Sequence, residues 1–252
     1  MDASNPLTPA LSVVVPVHDE ADNLRPLIEE IAAALDGREI YEIVYVDDGS
    51  TDATPQRLVA LTREFPALRV LRHKTCAGQS AAIASGVAAA RAAVIITLDG
   101  DGQNDPADVP RLLAAWREGS AGDGPGLMIA GHRATRRDSA LKRLSSRVAN
   151  GVRARLLGDD TPDTGCGLKV FPRAAFLAMP RFDHMHRFLP ALMLRQGGRV
   201  VSIPVNHRPR SRGRSKYGLF DRLWVGIVDL LGVMWLNRRR NAPVVEEVRK
   251  DP

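Results

Sequence analysis

The patterned part of the chain begins with "LSVVVPV" (11–17), a short β-branched run of the kind that fills a buried strand. The period then changes. Leu24, Leu27, Ile28, Ile31 and Leu35 recur at helical spacing, which predicts a helix over 22–35 with Asp22 as its N-cap. The alternation repeats, with strands at "YEIVYVDD" (41–48), "LRVLR" (68–72) and "AVIITLD" (93–99), and helices over 52–64, 79–91 and "PADVPRLLAAWREG". Strands returning about every 25–30 residues with helices between them read as βαβ units, so the fold class is α/β with a mostly parallel central sheet flanked by helices. After residue 120 the rhythm loosens: "LMIAG" (127–131) and "RVVSIPV" (199–205) predict strands, 138–157 a helix, and "DTGCGLKVF" (163–171) a loop entering a strand.

Sheets of this kind bind ligands beyond the carboxyl ends of their strands. Asp19, Glu20, Asp47, Asp48, Asp99 and Asp101 all fall at those ends, so three strand ends bring acidic residues to one crevice.

The segment "YGLFDRLWVGIVDLLGVMWLNRRR" differs in kind. From Leu223 to Leu236 it carries one charge, Asp229. On a helical wheel Asp221, Arg222 and Asp229 share one side, and Trp224, Ile227, Leu231, Met234 and Trp235 the other. Such a stretch makes about 21 Å of helix against a hydrocarbon core of about 30 Å. It predicts an amphipathic interfacial helix over 217–240, trailed by Arg238-Arg239-Arg240, rather than a membrane span.

Composition narrows the setting. The 252 residues, 44% apolar, suit one large domain with an appendage: a domain over 11–216, the helix, and flexible ends at 1–10 and 241–252. Cys76 and Cys166 lie far apart with no CxxC spacing, which argues against a disulfide framework or a zinc site. "MDASNPLTPA" has neither a basic nor an apolar leader region, so the expected location is cytoplasmic. Formal net charge is +6, and the basic runs "HRATRRDSALKRLSSR", "HRPRSRGRSK" and "NRRR" all follow residue 130, while the acidic clusters precede it. Such a balance suits anionic lipid, phosphorylated substrates or nucleic acid. With 5% aromatic residues, none interleaved in the basic runs, and an acidic crevice, a nucleic-acid partner is not expected.

"TLDGDGQND" (97–105) ends an apolar run in a cluster that repels itself unless something positive sits in it. Asp99 and Asp101, two apart on an extended strand end, face the same way, and Gly100 and Gly102 let the backbone bend close to a bound group. Hard oxygens of this kind suit Mg²⁺ or Mn²⁺, which also takes phosphates as ligands, and Gln103 offers a further neutral oxygen. The competing reading is a polar loop, with Asp105 as N-cap before Pro106. In "VDDGSTD" (46–52) turn chemistry accounts for Gly49, Ser50 and Asp52 but not for the doubled Asp47-Asp48, one of which is free to accept from a ribose or a base edge. "CAGQSAAIASG" (76–86) reads more simply as close helix packing through alanines than as a phosphate loop. His132, His184 and His186 have no partner spacing that makes a second metal site.

Taken in order and at these intervals, "VVVPVHDEADNL", "VDDGSTD", "LDGDGQNDP" and "DTGCGLKVF" resemble the inverting family 2 glycosyltransferases of GT-A fold, over about residues 10–220. "GQNDP" and "HRPRSRGRSKYG" look most like the polyprenyl-phosphate glycosyltransferases, the group that includes the dolichol-phosphate mannosyltransferases. The resemblance implies that Pro16, Val17, Glu20 and Asp48 hold the nucleoside with Gln79 nearby, and that Asp99, Asp101 and Gln103 form the metal and sugar-nucleotide site. It implies that Arg133 meets the phosphates and that Arg212, Arg214 and Lys216 lie in a basic segment closing over donor and lipid phosphate, where Arg208 and Arg210 are competitors.

The reaction so implied moves a sugar, mannose or another hexose, from a nucleoside diphosphate to a polyprenyl (dolichyl or undecaprenyl) phosphate with inversion. An acceptor phosphate is largely ionised near pH 7 and needs cations rather than a general base. The implied partners are a nucleotide sugar, a polyprenyl phosphate, an anionic membrane met peripherally on its cytoplasmic face, and a separate membrane protein as a candidate anchor. A family member acting on a saccharide or protein hydroxyl is the alternative; it requires a base, and the Q-x-x-R-W motif of processive members is absent from this sequence. A sugar-nucleotide binder without activity is disfavoured by the intact Asp99, Asp101 and Gln103.

Overall fold

The computed structural model describes residues 8–120, 126–133, 151, 153–209 and 219–241, with the backbone alone for 219–225. The alternation read from the sequence is present: β1 (Leu11–Val17), α1 (Leu24–Leu35), β2 (Tyr41–Asp47), α2 (Thr54–Leu61), β3 (Leu68–Arg72), α3 (Gln79–Ala89), β4 (Val94–Thr97), a 3₁₀ turn (Pro106–Asp108), α4 (Val109–Gly119) and β5 (Leu127–Arg133). There follow helical residues 153–157 (α5), β6 (Lys169–Pro172), α6 (Arg173–Leu177), a 3₁₀ turn (Met185–Arg187), α7 (Leu189–Arg195), β7 (Arg199–Val205) and α8 (Leu219–Arg238).

The strands form one sheet in the order β3-β2-β1-β4-β6-β5-β7. β1 pairs in parallel with β2 and β4, β2 with β3, and β5 with β7. Only β6 runs against its neighbours, antiparallel to both β4 and β5. Buried on both faces, β1 shows no polar alternation, as expected for a central strand of a doubly covered sheet. One face packs Val13, Val15, Ile43 and Ile96 against α1 and α4; the other packs Val14, Val44, Ile95 and Met128 against α3, α6 and α7. Away from the crevice, Glu42 is buried at the start of β2, where it accepts from Ser12 Oγ (2.6 Å), the Arg91 backbone N–H (2.6 Å) and Arg69.

Several local expectations are corrected. Asn23, not Asp22, is the N-cap of α1, because Asp22 is drawn off by Arg57 at 2.7 Å. α2 is shorter than 52–64, since Asp52 accepts from the Thr54 backbone N–H just ahead of the helix and residues 62–64 turn back on its last carbonyls. Most of the 138–157 helix lies outside the described residues. In α8 the wheel reading is revised: Leu230, Val233 and Met234 pack on the core, and Asp229 lies on that same inner side, 3.1 Å from His184 Nδ1. The outer side shows Ile227, Val228, Leu231 and Trp235, each 42–59% exposed, next to exposed Arg238, Arg239 and Arg240. Asp229 is turned inward because the 229, 230, 233 and 234 stripe is the one that meets the core. Among the described residues no helix is long and apolar enough to cross a membrane.

Candidate active site

The carboxyl ends of β1, β2 and β4 face one cavity of about 470 Å³. Its near wall is built from Pro16, Val17, His18, Glu20, Asp48, Cys76, Gly78 and Gln79, its floor from Leu98 to Asp101, and its far wall from Thr164 to Gly167, Lys169, His186, Arg187 and Leu189. The structure thus brings Pro16, Val17, Glu20, Asp48, Gln79, Asp99 and Asp101 together.

The acidic loops that puzzled as sequence explain one another. Asp19, in the left-handed region at φ 53°, accepts through Oδ1 from the Thr51 and Asp52 N–H groups, and its own N–H donates to Ser50 Oγ. Asp47 is buried, with Oδ1 accepting the Ser50 N–H and Oδ2 facing Arg72 at 3.2 Å. Asp48 is turned to the loop before α3: it accepts from Ala77 N–H and Gly78 N–H (both 2.8 Å), His73 Nδ1 (2.7 Å) and Cys76 Sγ (3.3 Å). Burial raises its pKa, but these donors outweigh burial and hold the carboxyl below the usual range. The doubled aspartate therefore clamps two loops, and Asp48 shapes the near wall. Gly49, at φ 69°, admits the close passage of that loop, since a Cβ there would lie 2.6 Å from Cys76 N.

β4 ends at Thr97, so Asp99 and Asp101 stand in the turn beyond it. Asp99 accepts from Gln79 Nε2 at 2.8 Å, and Gly167 presses on it so closely that a Cβ would lie 2.3 Å from the carboxylate. Burial and then the charge of Asp101 push the Asp99 carboxyl up to about 6, against the pull of Lys169 and Arg133. A carboxylate destabilised in this way, beside a second one, is chemically suited to a hard divalent cation. Among the described residues no group of three or more His, Cys, Asp or Glu side chains forms a metal cage. Asp99 and Asp101 therefore fit a cation that draws its remaining ligands from phosphate and water. Gln103 is placed differently from the expectation: its backbone N–H donates to Asp101 Oδ1, while its side-chain amide donates to the Arg208 carbonyl at 3.3 Å, tying the turn to the chain after β7.

Of the predicted cations, the two within the described residues, Arg133 and Arg208, are engaged. Arg133 is locked on Asp163 through Nε (2.5 Å) and a terminal nitrogen (2.7 Å), a pairing that raises its pKa and fixes the loop at its far side. Arg208 bridges Glu30 (2.7 Å) and Asp105 (2.5 Å). Asp105 also accepts the Ala107 N–H, so its capping role holds. Arg210, Arg212, Arg214 and Lys216 lie outside the described residues.

Four residues to which the sequence reading gave no role in this site belong to it. Gly167 and Lys169 come from "DTGCGLKVF", where a lysine at the start of an apolar strand was the available signal. The Lys169 ammonium is buried and donates to the Thr164 and Cys166 carbonyls; burial lowers its pKa. His186 and Arg187 sit in the turn before α7, and the ring of His186 is pushed down to about 3 by burial and then by the charge of Arg187.

A model of glycosyl transferase family 2 matches residues 12–178. A dodecaprenyl-phosphate galacturonate synthase from Rhizobium johnstonii is 35% identical over 240 residues, covering 92% of this chain and 69% of that one. An undecaprenyl-phosphate 4-deoxy-4-formamido-L-arabinose transferase from Edwardsiella ictaluri is 36% identical over 213 residues, 83% of this chain and 63% of that one. The chain thus spans roughly two thirds of the length of these relatives. Among solved structures, the glucosyl-3-phosphoglycerate synthase from Mycobacterium tuberculosis in complex with Mn²⁺, UDP and glucosyl-3-phosphoglycerate has a TM-score of 0.63 at 17% identity, covering 91% of this chain and 80% of that one. The same enzyme has been solved with Mg²⁺ and UDP. The fold is the GT-A fold, and the chain belongs to glycosyl transferase family 2, as a glycosyltransferase.

Proposed function

We propose that this glycosyltransferase moves a sugar from a nucleoside-diphosphate donor to the phosphate of a polyprenyl lipid, with inversion at the anomeric carbon. The observation that carries the acceptor class is the far wall. From Thr164 to Leu189 the described residues lining it offer two cations, Lys169 and Arg187, and a histidine pushed down to about 3, but no carboxylate. A hydroxyl acceptor requires a base with a pKa near the working pH, and this wall supplies none. An ionised phosphate requires only to be held near the donor against mutual repulsion. The names of the relatives in Rhizobium johnstonii and Edwardsiella ictaluri, both polyprenyl-phosphate transferases, support the same reading.

In the mechanism, the near wall seats the nucleoside along Pro16, Val17 and Glu20, and Asp48 acts by shaping the 76–78 loop. Asp99 and Asp101 would hold Mg²⁺ or Mn²⁺, which when bound neutralises the departing diphosphate. Gln79 orients Asp99, and Lys169 offsets its charge from below. Arg133 fixes the far wall through Asp163, and Arg212, Arg214 and Lys216, outside the described residues, are the further cations for the phosphates. The outer face of α8, apolar with Arg238–Arg240 beside it, rests on the anionic membrane that carries the acceptor.

The test is incubation of the full chain with Mn²⁺ or Mg²⁺, a short polyprenyl phosphate and a panel of nucleotide sugars, with Asp101→Ala alongside. The expected result is a sugar-phosphate-lipid from one donor, seen by mass spectrometry and absent from the variant. Transfer only to saccharide or protein hydroxyls overturns the acceptor assignment.

A further inference from the structure

Of the positively charged side chains facing the cavity, Lys169 is spent on the Thr164 and Cys166 carbonyls. Arg133, which lies behind the wall, is spent on Asp163, and Arg208 on Glu30 and Asp105. Arg187 is different. It is half-buried and lines the cavity, and among the described residues no carboxylate or carbonyl accepts from its guanidinium. Keeping a guanidinium half out of water without an anion costs stability, so a wall built this way is complementary to an anion that arrives.

The adjoining histidine extends that complementarity. Ser80 Oγ accepts the His186 backbone N–H at 3.2 Å and lies 2.7 Å from its Nδ1. Assigning the hydroxyl hydrogen to Nδ1 places the one hydrogen of the neutral ring on Nε2. His186 lines the same cavity, so a neutral N–H donor stands next to a free guanidinium. Both are carried on the turn Met185–Arg187, whose preceding residue His184 is held by Asp229 of α8, and Met185 is buried beneath them. The pair is thus mounted on a fixed backbone rather than on a swinging loop.

We propose that Arg187, assisted by the Nε2–H of His186, is the phosphate-binding residue for the acceptor. This rests on the polyprenyl-phosphate reading above and moves its main described contact from Arg133 to Arg187. The shared chemistry is an oxyanion at the far wall, and its other source would be a carboxylate on the donor sugar.

The test uses farnesyl phosphate as probe, titrated calorimetrically into the full chain, into Arg187→Ala and into Arg187→Lys, with farnesol as the uncharged control. Expected is a loss of about 10- to 100-fold in farnesyl phosphate affinity for Arg187→Ala, partial recovery in Arg187→Lys, no change with farnesol, and unchanged binding of UDP and GDP with Mn²⁺. Equal farnesyl phosphate binding by wild type and Arg187→Ala overturns the assignment, as does weakened nucleotide binding in the variant. A lost preference for UDP-glucuronate over UDP-glucose, with farnesyl phosphate unmoved, gives the site to the donor and likewise overturns it. If wild type transfers sugar to polyprenyl phosphate while the acceptor KM of Arg187→Ala is unchanged, this inference alone fails. If wild type neither binds farnesyl phosphate nor uses a lipid phosphate, the acceptor reading fails with it.

Discussion

Asp99 is held in a state that binding relieves. Its carboxyl sits at about 6 where an unfolded aspartate sits near 3.8, so the folded protein without metal is penalised for carrying the charge. The sign follows: the penalty is absent at pH 3, grows between pH 4 and 6, and is constant above, at about 2–3 kcal/mol. Asp99→Asn is therefore expected to raise the melting temperature of the metal-free protein at pH 7.5 while abolishing transfer, and thermal unfolding with and without Mn²⁺ reads both halves. Mn²⁺ should stabilise wild type more at pH 7.5 than at pH 5 and leave Asp99→Asn nearly unmoved. Gly167→Ala places a Cβ 2.3 Å from the same carboxylate, and a displaced Asp99 is expected to cost about 100-fold in transfer rate at fixed donor. Asp99 and Asp101 were legible in the sequence because their relation is local, two residues apart in the turn that follows one strand. Gly167 and Lys169 were not, because what they do depends on β6 lying beside β4, some 70 residues away, a pairing no periodicity announces. The doubled Asp47-Asp48 was visible as an anomaly, but its bonds were not, because those made to both carboxylates come from residues 50, 72, 73 and 76–78.

Among elements, the β-branched runs found their strands within a residue or two, since a buried parallel strand writes itself as an unbroken apolar run. The faces of α8 were harder to read. Apolar residues surround that helix, and only the core contact of Leu230, Val233 and Met234 decides which side is inner. Glu42 is a test at this scale, because it binds β1, β3 and the start of the Arg91 loop to β2. Burial pushes its carboxyl up, but the bonds from Ser12, Arg91 and Arg69 bring it below the usual range. That contribution is therefore present above about pH 4.5 and is lost as pH falls through the depressed value. Glu42→Gln should lower stability by roughly 2 kcal/mol at pH 7 and by less at pH 3, measured by urea unfolding, without moving nucleotide affinity.

For the whole molecule, charge divides as the sequence indicated, with carboxylates at the floor of the cavity and cations at its far wall. What the sequence could not convey is that Arg133 and Arg208, which stand outside the cavity, neutralise the chain's own carboxylates, an arrangement that only folding reveals. The outer face of α8 leads to the remaining prediction. Ile227→Ser with Leu231→Ser and Trp235→Ser is expected to abolish co-sedimentation with vesicles containing anionic lipid while leaving transfer to a short, detergent-free acceptor intact; retained sedimentation would refute a membrane role for this face.

The reversed strand has one more consequence. Because β6 descends where its neighbours climb, residues 159–168 arrive at the crevice fastened at both ends, by Arg153 on Asp159 and Arg133 on Asp163 upstream and by Lys169 entering the sheet downstream. The stretch Thr164–Leu168 is thereby a short cassette between fixed mounts. Within it Thr164 is the side chain open to exchange for a different substrate outline, because Gly167 lies against Asp99 and Cys166 and Leu168 are buried in the core, so a change at Thr164 is the most economical route to a transferase of altered preference.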